Sequence, residues 1–325
     1  MPPAVKKFAY NATLTQREDL SETLTIFRIR PDGDTNELGN GGSPLPEFVA
    51  GQYAVLGAHN EDEPEKGFVR RAYSIASPPE ERRWLEFYIR FVDRPTSNNP
   101  LTHLLWKMQV GARLWLGPKI TGRFTLAHTI GEEDPRQKIF VAAGTGLAPF
   151  VSILKNVMQQ NVATDGSQGS NFIVLHGASH PHDLAYKEDL EKALNLVRQR
   201  YFPTISRPQL HPDWQGDTGR VETFFDAEKL EDLERRLGFE PGHIAPERCV
   251  AYICGLQGTI ANTLIALLRR GFIPNDRRIR AALGLPKDVV PSLFFEQYDS
   301  MPILDLSNKA FVQSLRETFP AGLFS

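Results

Sequence analysis

Cysteine is scarce in this chain: Cys249 and Cys254 are the only two in 325 residues. That excludes a disulfide framework and fits a reducing compartment. An excess of charge of one sign is missing too. The formal net charge of −2 offers no global attraction for nucleic acid, although a near-neutral total can hide local patches. No apolar run approaches the roughly 20 residues that span a bilayer. Met1–Leu20 has no apolar segment of the signal-peptide kind. The expectation is a cytoplasmic protein with no membrane insertion and no nucleic-acid partner. There is no internal repeat, no Ser–His–Asp arrangement and no G-x-G-x-x-G, so a standard dinucleotide fingerprint is unsupported. Cys249 and Cys254 do have the C-x4-C spacing of an iron–sulfur ligand pair. A plant-type cluster needs four cysteines, however, and the third position is Gln257.

What is present is enough chain for two domains, each with its own core. The first third reads as β, with strand-like segments at Phe8–Leu14, Thr23–Arg30, Tyr53–Ala58, Arg71–Ala76, Trp84–Phe91 and Arg113–Leu116. Turn chemistry such as Pro31-Asp32-Gly33 separates them, which predicts a closed antiparallel barrel or a sandwich. Asp32–Pro46 reads as a long mobile loop, and Asn98–Met108 as a lone helix. After a polar linker at Gly131–Pro135 the pattern changes to strands at Lys138–Ala142, Phe172–His176 and Arg248–Ile253. Helices at Ala148–Gln159, Leu184–Arg200 and Thr259–Arg270 alternate with them. That alternation predicts a parallel sheet covered on both faces. Gln160–Ser170 reads as a solvent loop. Phe311, Leu315 and Phe319, four apart, mark a final amphipathic helix. The expected division is 1–134, 135–298 and an extension at 299–325.

Three segments carry chemistry. In Arg71-Ala72-Tyr73-Ser74 an extended backbone turns Arg71 and Tyr73 to the same side. A guanidinium fork grips phosphate and a tyrosine ring stacks on a flat ligand, whereas the plainer reading is a half-buried strand with a surface arginine. Ile139–Phe150 passes from a buried strand through Gly144-Thr145-Gly146 into a helix with Pro149 in its first turn. Free N–H groups and the helix dipole there make an anion site; the plainer reading is a tight strand–helix turn. Cys249–Gly255 is again a strand that ends at a glycine, which puts Cys254 at the crevice end of the sheet or simply in the core.

Taken together, these segments resemble the ferredoxin–NADP+ reductase superfamily, most closely its bacterial ferredoxin/flavodoxin reductases, from about Val5 to Tyr298. The resemblance implies an N-terminal antiparallel Greek-key β-barrel for FAD and a C-terminal α/β domain for NADP(H). It assigns Arg71 to the FAD pyrophosphate, Tyr73 to the flavin ring, and Ser74 to the neighbourhood of the reactive flavin nitrogen, with Ala72 inside the same motif. Leu101-Thr102 opens the helix that meets the flavin phosphates, and Gly122-Arg123-Phe124 closes the barrel. Gly144, Thr145 and Gly146 correspond to the NADP pyrophosphate loop. Cys254-Gly255 corresponds to the pair beside the nicotinamide. His176-Gly177-Ala178 and Asp183-Leu184-Ala185-Tyr186 border the adenosine. Relatives often carry an arginine for the 2′-phosphate where this chain has Ser179, but Arg207 and Arg220 match two further phosphate-binding arginines, so NADPH is expected over NADH. Glu296-Gln297-Tyr298 matches a terminal glutamate and a flavin-stacking aromatic. Here 27 more residues follow, Asp299–Ser325, which are expected to fold back along the adenine half of FAD.

The implied activity is hydride transfer between NADP(H) and FAD and single-electron exchange with ferredoxin or flavodoxin, with Ser74, Cys254, Glu296 and Tyr298 as the catalytic set. Two alternatives stand beside it: an NADH-linked reductase component of an oxygenase or haem protein, and a non-catalytic flavin- or nucleotide-binding redox sensor. No metal is expected, because His180, His182 and Asp183 find no third ligand at helical or hairpin spacing. Arg269, Arg270, Arg277, Arg278 and Arg280 read either as a docking surface for an acidic electron carrier or as a solvated helix end.

Overall fold

The computed structural model describes residues 8–33, 45–95, 97–161, 171–195, 199–298 and 301–320. Most of the expected loops at Asp32–Pro46 and Gln160–Ser170 therefore lie outside the described residues. The chain divides into two compact units. One runs to Thr125 and includes Ala148–Asn156; the other takes Leu126–Leu147 and continues from Val157.

The first unit contains β1 (Ala12–Ser21), β2 (Leu24–Pro31), β3 (Tyr53–His59), β4 (Phe68–Ser74), β5 (Leu85–Arg90), α1 (Leu101–Lys107) and β6 (Arg113–Leu116). Its strands are antiparallel in the order β4-β3-β6-β1-β2-β5. Residues just beyond β4 join the two ends of that order: Ile75 bridges Phe87, and the Ala76 N–H donates to the Glu86 carbonyl at 2.8 Å. The sheet thus closes into the expected barrel, with Phe27, Leu56 and Phe87 among the fully buried side chains that fill it. Closure removes the open edges that an antiparallel sheet would otherwise expose.

The first strand lies later than Phe8–Leu14. Residues Gln16–Ser21 look unlike a strand because Arg17 and Asp19 pair with each other at 2.9 Å, yet the backbone runs alongside β2 as far as Ser21↔Leu24. At the far end of the Asp32–Pro46 segment Leu45 is buried, and its carbonyl accepts from Arg82 at 2.7 Å, so that end is fixed to the barrel.

The second unit contains α2 (Leu126–Thr129), β7 (Gln137–Ala143), the end of α3 (Ala148–Asn161), β8 (Phe172–Ala178), α4 (Lys187–Leu194), β9 (Tyr201–Ile205), β10 (Asp217–Thr218) and α5 (Ala227–Leu237). It continues with β11 (Cys249–Cys254), α6 (Gln257–Leu268), α7 (Arg277–Leu283), β12 (Leu293–Glu296) and α8 (Lys309–Arg316). All six strands are parallel, in the order β10-β9-β8-β7-β11-β12. The central strands are near-continuous apolar runs, buried along almost their whole length, as a sheet covered on both faces requires.

Three departures have clear causes. The helix expected at Leu184–Arg200 shrinks to α4, because Tyr186 takes a left-handed φ of 60° immediately before it. Strand β9 escaped the sequence reading because Pro203 sits in its middle, where proline argues against a sheet interior. The tail is helical as expected, and it belongs to the core of the second unit. Leu304, Leu315 and Phe319 are buried with Leu268 and Leu283, and the Thr318 hydroxyl reaches the Leu268 carbonyl at 3.2 Å. Ile303, Leu306, Phe311 and Val312 of the tail pack against the same core, whereas Met301 is exposed.

Candidate functional site

Chain order builds the second unit outward from β7. The chain fills β8, β9 and β10 on one side, then crosses to β11 and β12 on the other. The connections from β7 and from β11 therefore leave the sheet in opposite directions. A crevice opens at such a switch point, at the carboxyl ends of the strands, and ligands of open α/β sheets bind there.

Glycines shape both sides of this crevice. After β7 the backbone turns once through Gly144–Leu147 before α3 begins. Gly144 has a φ of 54°, and a Cβ placed on it would meet nothing within 4 Å, so its outer face is open. Gly146 is different: a Cβ there would lie 2.1 Å from the Cys254 carbonyl oxygen. Gly144 thus leaves open space around it, whereas Gly146 is small because β11 passes directly against it. Thr145 lies between them, where successive backbone N–H groups can meet an anion.

On the β11 side Cys254 is fully buried, and its thiol donates to the Tyr298 hydroxyl at 3.2 Å. Burial pushes this thiol well above the ordinary range, and the nearby Glu296 carboxylate pushes the same way. Sγ therefore keeps its proton at neutral pH and is no thiolate nucleophile. Glu296 pairs with Cys254 across the parallel register of β11 and β12, and Tyr298 follows with half of its surface exposed. Gly255 has a φ of 154° and packs against Ala143.

The other arm of the sheet brings Ser179, Arg207 and Arg220 just beyond the ends of β8, β9 and β10. Backbone hydrogen bonds tie these ends together: Ser206 N–H to the Ala178 carbonyl at 2.9 Å, and Gly219 N–H to the Ile205 carbonyl at 2.8 Å. Both arginines are exposed, and Ser179 is half-buried. The sequence reading overlooked His211, which follows β9 and lies 2.7 Å from His180. No spacing rule links two histidines 31 positions apart. Among the described residues, no group of three or more His, Cys, Asp or Glu side chains is arranged to hold a metal ion.

In the first unit, Arg71, Tyr73 and Ser74 follow one another along β4, the end strand of the order. Their partners on β3 are Leu56, Ala54 and Tyr53. Tyr73 packs against the barrel core, and burial raises its phenol, so it presents a neutral ring. Arg71 is exposed and donates to the Arg70 carbonyl at 2.8 Å; Ala72 is exposed and Ser74 buried. Helix α1 begins at Leu101-Thr102 behind Pro100, with no side-chain cap on its first N–H groups. Leu101 and Thr102 are both buried, and the Thr102 hydroxyl accepts from the Val92 N–H at 3.4 Å. Thr102 thus braces its turn, and the His103 N–H donates to the Pro100 carbonyl at 3.1 Å.

Residues 140–263 match the protein-family model described as an oxidoreductase NAD-binding domain. The chain is also 30% identical to ferredoxin–NADP reductase B of Sorangium cellulosum over 235 residues, 72% of this chain and 80% of that one. The chain belongs to the ferredoxin–NADP reductase family. A second family member, the flavodoxin/ferredoxin–NADP reductase of Rhodobacter capsulatus, is 29% identical over 256 residues, 75% of this chain and 79% of its own. Among solved structures, a ferredoxin NADP+ reductase from Neisseria gonorrhoeae with bound FAD and NADP superimposes with a TM-score of 0.62 at 22% identity. It covers 88% of this chain and 97% of its own. The family fold of antiparallel barrel and parallel sheet is therefore the fold described above. None of the described helices is long and apolar enough to cross a membrane.

The residues present fit both ligands of this family. The open face of Gly144 and the exposed Arg207 and Arg220 suit a phosphate-bearing dinucleotide, while Arg71, the neutral Tyr73 ring and the uncapped start of α1 suit a flavin with a pyrophosphate.

Proposed function

We propose that this protein is an FAD-dependent reductase that takes hydride from NADPH and delivers electrons to ferredoxin or flavodoxin. The observation that carries the proposal is the switch-point crevice, with the open Gly144 turn on one side and the neutral Cys254 thiol on the other. It occurs in a chain whose barrel also presents Arg71 and Tyr73 on one strand.

When bound, FAD supplies the chemistry, accepting a hydride and releasing electrons one at a time. The protein supplies position and charge. Residues 1–134 hold the flavin: Arg71 and the first N–H groups of α1 at Leu101-Thr102 take the pyrophosphate. Tyr73 backs the ring, Ala72 lets the ligand pass close to the strand, and the buried Ser74 places its hydroxyl toward the ring. Residues 135–298 hold the nucleotide. The N–H groups of Gly144, Thr145 and Gly146 take its pyrophosphate, and Ser179, Arg207 and Arg220 take the phosphate that distinguishes NADPH. Cys254 and Gly255 leave a neutral, uncrowded wall beside the nicotinamide. Glu296 tunes the charge there, and Tyr298, whose hydroxyl accepts from the Cys254 thiol, is the aromatic residue proposed for the flavin. Within the segment 299–325, Leu304, Leu315 and Phe319 brace the second unit.

An acidic carrier would meet Arg269, Arg277 and Arg278, which are exposed. Arg280 is not part of that surface: it is buried and donates to the carbonyls of Pro274, Pro286 and Val289. A cytoplasmic setting suits such soluble carriers.

The decisive experiment is a visible spectrum of the purified protein during anaerobic addition of NADPH, followed by transfer to purified ferredoxin and flavodoxin. Flavin bands that bleach, and carriers that then become reduced, are expected. A colourless protein that cannot be reconstituted with FAD would overturn the proposal.

A further inference from the structure

Three imidazoles meet at one corner of the sheet. His180 and His182 lie on the turn after β8, with ring centroids 5.2 Å apart and planes 4° from parallel. His211 comes from the turn after β9, and its Nε2 is 2.7 Å from Nδ1 of His180. On the other edge of the His180 ring, Nε2 lies 3.5 Å from Nη1 of Arg207.

The guanidinium determines the proton positions. It has donors only, so His180 Nε2 is the acceptor; Nδ1 then carries the hydrogen and donates to His211 Nε2. Adding a proton to His180 Nε2 would turn two donors and two positive charges toward each other. An anion between them would satisfy both. We infer that His180, His182 and His211 form with Arg207 a proton-linked subsite for the 2′-phosphate of NADPH, so that this phosphate and a proton bind together. The inference rests on the reading under Proposed function that the crevice binds a dinucleotide.

The groups facing His180 set the linkage. On its own turn these are Asp183, which favours the imidazolium, and His182, which opposes it; on the neighbouring turn His211 and Arg207 also oppose it. Burial acts first and in the same direction as these three, holding His180 below the ordinary imidazole range. The ring is therefore mostly neutral at pH 7 until an anion arrives. A site made of arginines alone would behave in the opposite way. A phosphate monoester has its second pKa near ~6, and arginines select the dianion, so binding would release protons. The sign of the proton exchange separates the two designs.

The test is calorimetric titration of the flavin-loaded, full-length protein with 2′-phospho-AMP and with 5′-AMP, between pH 6 and 8, in buffers of different ionisation enthalpy. Net proton uptake approaching one per 2′-phospho-AMP is expected. Affinity should fall by up to about tenfold per pH unit over the linked range, with no uptake for 5′-AMP. His180→Gln and His211→Asn should abolish the uptake or reverse it to release, while Arg207 and Arg220 still give binding. Net release by the unaltered protein, or equal uptake in both variants, would overturn the inference and leave the reductase reading intact. Failure of NADPH to bleach the flavin, with neither nucleotide binding, would overturn both.

Discussion

The two candidate sites are built in opposite ways. The barrel presents Arg71, Ala72, Tyr73 and Ser74 in succession on β4, so one strand's register places them all. The crevice of the second unit gathers residues from Gly144 to Tyr298 at the ends of six parallel strands, so it exists only when the whole sheet is assembled. A contiguous site should lose function without losing stability when one of its residues changes. A distributed site should fail together with its fold.

Acid gives the largest effect. His176 in β8 is fully buried, with Nδ1 2.9 Å from the Tyr201 hydroxyl and no partner for Nε2. Burial pushes its pKa from 6.5 down to about 3. The folded value is depressed, so the contribution of the neutral ring is complete above pH 6.5 and declines as pH falls toward 3. The slope is roughly 1.4 kcal/mol per pH unit. Denaturant midpoints against pH should show this slope, and His176→Phe should flatten it. That variant should also lower the neutral plateau by about 1 kcal/mol, because the hydrogen bond between His176 and the Tyr201 hydroxyl is lost. An unchanged slope in the variant would remove His176 as the cause.

Leu315→Ala comes next. The side chain is fully buried in the second unit's core, and its loss should cost about 2–5 kcal/mol in denaturant titrations. Nucleotide binding should disappear in step with unfolding. A fully stable variant would show that the tail does not brace the crevice unit.

Arg71→Ala should behave in the opposite manner. FAD affinity should fall about 10- to 100-fold, the loss of one charge-assisted contact of about 1.5–3 kcal/mol. The apoprotein's unfolding midpoint should shift by no more than about 0.5 kcal/mol, because the residue is exposed. Arg71→Lys should restore only part of the affinity, since a point charge cannot reproduce the fork. Equal losses of flavin and stability would erase the contrast between the sites.

The smallest effect is that of Gly144→Ala, about 1 kcal/mol of stability for a residue at positive φ with open space around it. Gly146→Ala must cost more, because its Cβ would overlap the Cys254 carbonyl. A reversed order in unfolding measurements would refute the separate roles given to these glycines.

How much was legible follows the same division. Arg71–Ser74 could be read as one extended segment because neighbours in sequence are neighbours on one strand. The turn at Gly144–Gly146 could be read as a strand–helix junction, but the reason for Gly146 lies 108 positions away, at Cys254. Arg280 looked like its exposed neighbours in a basic run, and only the fold directs it inward to three carbonyls. His180 and His182 looked incomplete because the third imidazole, His211, arrives on another strand's turn.

Local chemistry in the chain was therefore sufficient to determine an antiparallel first third, a parallel α/β remainder, the strand that carries Arg71–Ser74 and the glycine turn. Alternation, apolar runs and turn residues act over a few positions, and that is the range over which sequence patterns speak. Only the tertiary structure decided the strand order β10-β9-β8-β7-β11-β12, and with it the crevice, the anchoring of the tail and the meeting of three histidines. These depend on which strands pair across long stretches of chain, and that pairing is set by burial of the whole core rather than by any one segment.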